Sequence, residues 1–205
     1  SASFKRCADC GIIFNVNFKS LSYGRDYFID EYREQYGRTY IEDYANIYEL
    51  AQRRLDSILK HFKDRAGLSL LDLGCAAGFF LKAAKDRGIE DLLGIEISGF
   101  AADYCRKNFG IDVIESPFSD VSPGRKFSII SSWFFLEHMP RPDHVIQKIY
   151  SMLGDGGVFA CGIPSYFGPA FHFDRQGWIR NHPQDHRIDL SPASARRILK
   201  KAGFR

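Results

Sequence analysis

The 205 residues contain no apolar run of the about eighteen residues that a membrane-spanning helix needs, and no charged start leading into a short apolar stretch and a cleavage site. Nothing in the pattern sends the chain into a membrane, so no membrane partner and a cytoplasmic location are expected. A basic block is missing too. With 28 Lys and Arg against 25 Asp and Glu, the net charge is only +3, and no cluster stands out that would track phosphates. Nucleic acid is therefore not an expected partner. Cysteine is scarce and its count of five is odd. Cys75, Cys105 and Cys161 fall in apolar stretches where cysteine acts as a small hydrophobe, which argues for a reducing compartment over a disulfide framework.

Aromatic residues, by contrast, make up 15% of the chain. Tyr23, Tyr27, Phe28, Tyr32, Tyr36, Tyr40, Tyr44 and Tyr48 crowd one short region, which fits either a lid over a ligand or part of the core. The length suits one α/β domain with a real core plus a modest extension.

The most informative stretch is 68–81, because its period changes midway. Up to Leu73 it reads as a buried strand; after Gly78, Phe80, Leu81, Ala83 and Ala84 recur at helical spacing, with Lys82, Lys85 and Asp86 opposite and Gly88 as a stop. Gly74 and Gly78 allow the turn between them positive φ and close backbone approach, so peptide N–H groups and the helix N-terminus can face an anionic group. Asp72 stands at the strand's carboxyl end, where open α/β sheets bind ligands. Residues 92–97 read as the next strand. It ends in Glu96, about twenty residues past the turn, where a carboxylate can accept both hydroxyls of a ribose.

The run Asp72-Leu-Gly-Cys-Ala-Ala-Gly78 resembles the first motif of the class I S-adenosylmethionine (SAM) methyltransferases, D-x-G-x-x-x-G. Ala76 stands where the dinucleotide fingerprint G-x-G-x-x-G wants its second glycine, which argues against the alternative of an NAD-linked Rossmann oxidoreductase. A methyltransferase-like domain that binds SAM without catalysis is the other alternative. The resemblance continues downstream. Strand 127–132 is followed by Leu136-Glu137-His138, Pro142 and a helix through Val145, Ile146, Ile149 and Leu153, similar to the fourth motif of the small-molecule methyltransferases that include the ubiquinone-biosynthesis O-methyltransferases. Ser128 and Phe134 depart from it, standing where acidic residues are common. Gly154-Asp155-Gly156-Gly157 then reads as the turn before a fifth strand, 158–164.

The resemblance implies an α/β fold, a Rossmann-like, doubly wound and mostly parallel sheet with helices on both faces. It also implies SAM as cofactor, with S-adenosylhomocysteine as product. Carried onto this chain, SAM would touch Asp72, Gly74, Cys75, Ala76, Gly78 and Phe79 at the glycine turn, and Glu96 and Ile97 at the second strand. Ser116, Pro117 and Phe118 would meet the adenine, and Trp133 would wall the sulfonium with Phe79 and Phe135, since ring faces attract such cations. A small-molecule acceptor, with a hydroxyl oxygen as the expected atom, would meet Tyr40, Phe135, His172 and Trp178. His138 has the pKa range to take the hydroxyl's proton, although a structural hydrogen bond would equally explain it. The Asp-Asn pair of metal-dependent catechol enzymes, the Pro-Pro-aromatic motif of DNA amino-methyltransferases and the Pro-Cys nucleophile of cytosine-C5 enzymes are all missing.

Three organisational expectations complete the reading. Residues 1–20 hold Cys7-Ala8-Asp9-Cys10-Gly11, a knuckle resembling half of the zinc-binding domain that precedes some class I methyltransferases. Zinc is expected there only if an upstream or partner cysteine pair completes Cys7 and Cys10. Residues 21–64 form an N-terminal helical cap, and 65–205 the SAM-binding domain, with 165–189 as an irregular acceptor-side insertion. No metal is assigned to His172, His182 and His186, whose spacing matches no familiar ligand pattern. The family's last two strands are not found before Arg205. The chain is thus expected to be a piece of a longer one, or to cover the fifth strand's edge with a second copy in a homodimer.

Overall fold

The computed structural model describes residues 3–19 and 21–205. Two short strands, β1 (Phe4–Arg6) and β2 (Ile13–Asn15), precede a π-helical turn (Tyr27–Glu31), helix α1 (Tyr32–Tyr36) and helix α2 (Tyr44–Leu59). Strands and helices then alternate: β3 (Ser69–Leu73), α3 (Phe79–Asp86), β4 (Asp91–Glu96), α4 (Gly99–Phe109), β5 (Asp112–Glu115), β6 (Phe127–Trp133), α5 (Pro142–Met152) and β7 (Leu153–Gly162). Two short helices, α6 (Pro169–Phe173) and α7 (Arg175–Arg180), strand β8 (Ile188–Asp189) and helix α8 (Pro192–Ala202) follow. No helix among the described residues is long and apolar enough to cross a membrane.

The contacts divide the chain into two compact units, Ser22–Ser132 with Met152–Ala160, and Ser1–Leu21 with Trp133–Ser151 and Cys161–Arg205. The first is built on the sheet, whose order is β5-β4-β3-β6-β7. β3 pairs in parallel with β4 and β6, and β4 with β5. Chain order runs outward from β3 in one direction and then resumes at β6 on its other side. The switch point, where an open α/β sheet leaves a crevice, therefore falls at the carboxyl end of β3. This is the Rossmann-like architecture that the resemblance to class I methyltransferases implies.

β3 is buried along its whole length, and Leu70, Leu71 and Leu73 are fully enclosed, each burial stabilising the fold by about 1.5–3 kcal/mol. Helix α2 buries Ala51, Leu55, Ile58 and Leu59 as one stripe, and α3 buries Phe79, Phe80, Leu81, Ala83 and Ala84. Ser98 caps α4, accepting the Ala101 N–H, and Gly110 ends it in the left-handed region.

In the second unit, β1, β2 and β8 form a small antiparallel sheet. Helix α8 opens on a capping box, in which Ser191 accepts the Ser194 N–H at 3.1 Å while the Ser194 hydroxyl takes the Ser191 N–H at 2.7 Å.

Two local expectations change. The fifth strand starts at Leu153, taking in the 154–157 glycine run that reads as a turn in the sequence, and it ends at Gly162 rather than at Pro164. The stretch 165–189 is not irregular throughout: Asp174 caps α7 through the Gly177 N–H, and Ile188 and Phe14 pair β8 with β2. Elements of two to six residues are too short to show a hydrophobic period.

Candidate cofactor site and a histidine cluster

At the carboxyl end of β3 the chain turns with Gly74 at φ 66°, Ala76 at φ 48° and Gly78 at φ 79°. Ala76 holds a left-handed conformation that an L side chain rarely adopts, a strain found most often where function over-determines the backbone. Gly78 is required for a second reason: a Cβ there would run into the Cys105 side chain, whose Cβ lies 2.9 Å from the built position. The turn is tied to β4 by Gly74 and Cys75, whose N–H groups both donate to the Ile95 carbonyl, at 2.8 and 3.1 Å. Helix α3 then begins at Phe79, with Gly78 at its cap position and no side-chain cap.

Glu96 joins the same arrangement. Its carboxylate accepts the N–H groups of Ala76, Ile97 and Ser98, each at 2.8 Å. Burial pushes its pKa up, and those three donors pull it back. A carboxylate offers about four lone-pair sites, so acceptor capacity remains for a ribose hydroxyl. Asp72 is buried and accepts the Ser131 hydroxyl at 2.7 Å. Desolvation lifts its carboxyl from the ordinary 3.8 to about 7, with Ser131 and Arg54 opposing and Glu96 adding to the rise.

The tyrosine-rich segment forms a chain of ring contacts. Tyr40, half-buried, stacks on Phe79 at 5.2 Å and 12°, and also meets Phe28 and Tyr32 edge-on. Burial, with charges from Tyr32, Asp72 and Glu96 adding to it, raises the pKa of its hydroxyl. Phe79 itself is fully enclosed among Tyr40, Tyr44, Tyr104 and Phe109, so of the pair it is Tyr40 that keeps an open surface. Ile97 is 57% exposed just past Glu96, whereas Phe118 is buried. The Ser116 N–H donates to the Glu96 carbonyl at 3.0 Å, setting Ser116 and Pro117 beside the end of β4.

The second unit holds the other expected residues. Trp133 and Phe135 are half-buried on either side of Phe134, a non-glycine residue at φ 55° that is 56% exposed. The ring Nδ1 of His138 lies 3.1 Å from the Asp185 carbonyl and 3.4 Å from its carboxylate, and the ring meets His186 edge-on at 5.1 Å. Trp178 contacts Phe4, Phe171 and His182, while His172 is exposed and touches Phe167 and Phe171. His182 Nε2 and the Asp189 carboxylate are 2.8 Å apart, both buried.

Sequence reasoning passed over Glu137, Asp185 and Asp189. Glu137 was visible only as the middle of Leu-Glu-His, and nothing in the one-dimensional pattern ties it to residues fifty positions on. The structure gathers Glu137, His138 and His186 so that one ligand atom of each lies within 4.8 Å of the others, and does the same for His182, His186 and Asp189. Cys7 and Cys10 remain free thiols on a turn closed by the Gly11 N–H to the Cys7 carbonyl at 3.0 Å. Hydrogen bonding from Cys10 holds the Cys7 pKa below the usual thiol range.

Among curated proteins, the ubiquinone biosynthesis O-methyltransferase of Actinobacillus pleuropneumoniae is 28% identical over 123 residues, covering 55% of this chain and 52% of that protein. The chain thus spans about half the length of the curated relatives it matches. Among solved structures, a chain of the Haloferax volcanii complex between the Trm112 methyltransferase activator and a methyltransferase superposes with a TM-score of 0.63 at 20% identity, covering 79% of this chain and 72% of that one. A SAM-dependent methyltransferase from Archaeoglobus fulgidus gives 0.60 at 22% identity, covering 85% and 73%. These likenesses bear on the fold. The model of the methyltransferase domain family matches residues 42–205, from the start of α2 through the glycine turn and the Leu-Glu-His segment, and by that match the chain belongs to the methyltransferase domain family, of the class I SAM-dependent type.

Proposed function

We propose that the chain binds SAM at the carboxyl ends of β3 and β4 and transfers its methyl group to a hydroxyl oxygen of a small-molecule acceptor. The observation that carries this reading is the joint held by Glu96: one carboxylate fastens the glycine turn to the end of β4, so that the uncapped start of α3 and the remaining acceptor site of Glu96 belong to one frame. The methionine carboxylate then lies against the α3 N-terminus and the ribose on Glu96. Ile97, Ser116, Pro117 and Phe118 border the adenine, and Tyr40 offers a ring to the sulfonium.

In the reaction an O–CH3 bond forms as the S–CH3 bond breaks, and neutral S-adenosylhomocysteine leaves. We assign the proton released by the hydroxyl to His138, which the Asp185 carbonyl holds through Nδ1; the tautomer that donates from Nδ1 carries its lone pair on Nε2. Phe135, His172 and Trp178 are assigned to the acceptor. The edge strand β7 is a place for a second copy to dock. A zinc ion on Cys7 and Cys10 would need two further ligands from another segment.

The test is formation of S-adenosylhomocysteine from SAM against a panel of phenols, sugars and small hydroxy acids. Acceptor-dependent product, with His138→Ala losing turnover by about a hundredfold or more at unchanged SAM affinity, is the expected result. Full turnover in that variant would remove His138 from the chemistry, and no SAM binding would overturn the whole reading.

A further inference from the structure

Glu137 is 1% exposed, and neither of its carboxylate oxygens has a hydrogen-bond partner among the described residues. Buried polar groups are nearly always paired, and a buried unpaired carboxylate is among the costliest of them. On the other side of the cluster, the His186 ring meets His138 edge-on at 5.1 Å and His182 edge-on at 5.6 Å. A buried carboxyl group without a hydrogen-bond partner, set beside imidazole rings, is arranged for a cation.

We propose that Glu137, His138 and His186 bind a divalent transition cation of the zinc type, through one carboxylate oxygen and two imidazole nitrogens. Their ligand atoms lie within 4.8 Å of one another, and a bound zinc would draw them to the roughly 3–3.5 Å separations of a tetrahedral site. Two imidazoles with one carboxylate suit zinc and its neighbours and do not suit magnesium or calcium, which prefer all-oxygen shells. The supporting shell is in place. The Asp185 carbonyl sits on Nδ1 of His138, the kind of partner that orients a ligand imidazole. The loop that carries His186 is pinned on both sides by the Arg187 N–H to the Glu137 carbonyl at 2.8 Å and by the Asn15 N–H to the Arg187 carbonyl at 2.9 Å.

Equilibrium dialysis of the intact chain against Zn2+, with Co2+ absorption as a report on ligand type, tests the site. One equivalent bound in a Cys7→Ser/Cys10→Ser variant, a Co2+ spectrum without a thiolate band, and affinity at least about tenfold weaker in Glu137→Gln and in His186→Ala are expected. SAM binding serves as the fold control for each variant. Absence of stoichiometric binding, loss of binding with the two thiols, or unchanged affinity in both cluster variants would overturn the proposal. The site shares His138 with the reading of that residue as a base, but the two fail separately. A cation on Nε2 takes the lone pair a base needs, so saturating zinc should suppress turnover; binding without suppression would sink the base and leave the site.

Discussion

The glycine turn at the end of β3 and the cluster around Glu137 both bury carboxylates, and they treat them in opposite ways. Glu96 receives three backbone N–H groups and Asp72 receives the Ser131 hydroxyl. Glu137 receives none, and His182 Nδ1 is likewise buried without a hydrogen-bond partner among the described residues. In the first region the polar groups act as struts that fix a backbone conformation, and the ligand is to be met by what the struts hold out. In the second the side chains themselves are left to meet something. A satisfied polar network specifies geometry, whereas an unsatisfied one is maintained against a cost and implies a ligand or a strained state.

Substitutions can break or sharpen that contrast. The largest effect is expected at Gly78, where an Ala adds a Cβ against Cys105 in a left-handed conformation. Overpacking and backbone strain together should cost about 3–4 kcal/mol, read from urea unfolding. A loss under about 1 kcal/mol would mean that the turn can relax away from Cys105.

Next comes Asp72. Its folded pKa of about 7 lies above the ordinary 3.8, so the folded state holds the proton more tightly. The stabilising contribution is therefore complete below about pH 4 and is lost as pH rises through about 7, on the order of 4 kcal/mol in all. Asp72→Asn should flatten that decline, measured as the difference between the two unfolding free energies at pH 5 and pH 8. Parallel pH profiles would show that Asp72 is ionised throughout.

The smallest effect separates the two regions most cleanly. Glu137→Gln in metal-free protein should change stability by less than about 1 kcal/mol, because no existing hydrogen bond is lost. Glu96→Gln should cost more than that, since an amide presents a donor to three N–H groups that need acceptors. Equal costs at the two positions would abolish the distinction between strut and unmet ligand.

The two regions also differ in how far the sequence reveals them. Asp72, Gly74, Gly78 and Glu96 are readable because β3, its turn, α3 and β4 are consecutive, and the 3.6- and 2-residue periods meet at fixed offsets. The joint between Glu96 and Ala76 follows from the parallel pairing of β3 with β4, which sets Leu73 opposite Ile95. The order of the five-stranded sheet comes from the structure alone. The histidine cluster is not, because Glu137 and His138 come from the exit of β6 while His182, Asp185, His186 and Asp189 arrive from a segment that pairs back onto β2. That antiparallel pairing of Ile13 and Phe14 with Asp189 and Ile188 spans nearly the whole chain, and two-residue strands leave no pattern to predict it. Spacing alone does not show that the Phe79 ring is fully enclosed and that the half-buried Tyr40 stacks on it, since that contact joins segments nearly forty residues apart.

The central claim is that the frame held by Glu96 binds SAM, and calorimetric titration of SAM into the parent chain and into Glu96→Ala tests it most directly. The account predicts saturable binding by the parent, no comparable binding of NAD, and a loss of about 1.5–3 kcal/mol in the folded variant, the scale of a charge-assisted hydrogen-bond pair. An unchanged dissociation constant in a variant whose circular dichroism matches the parent would contradict it.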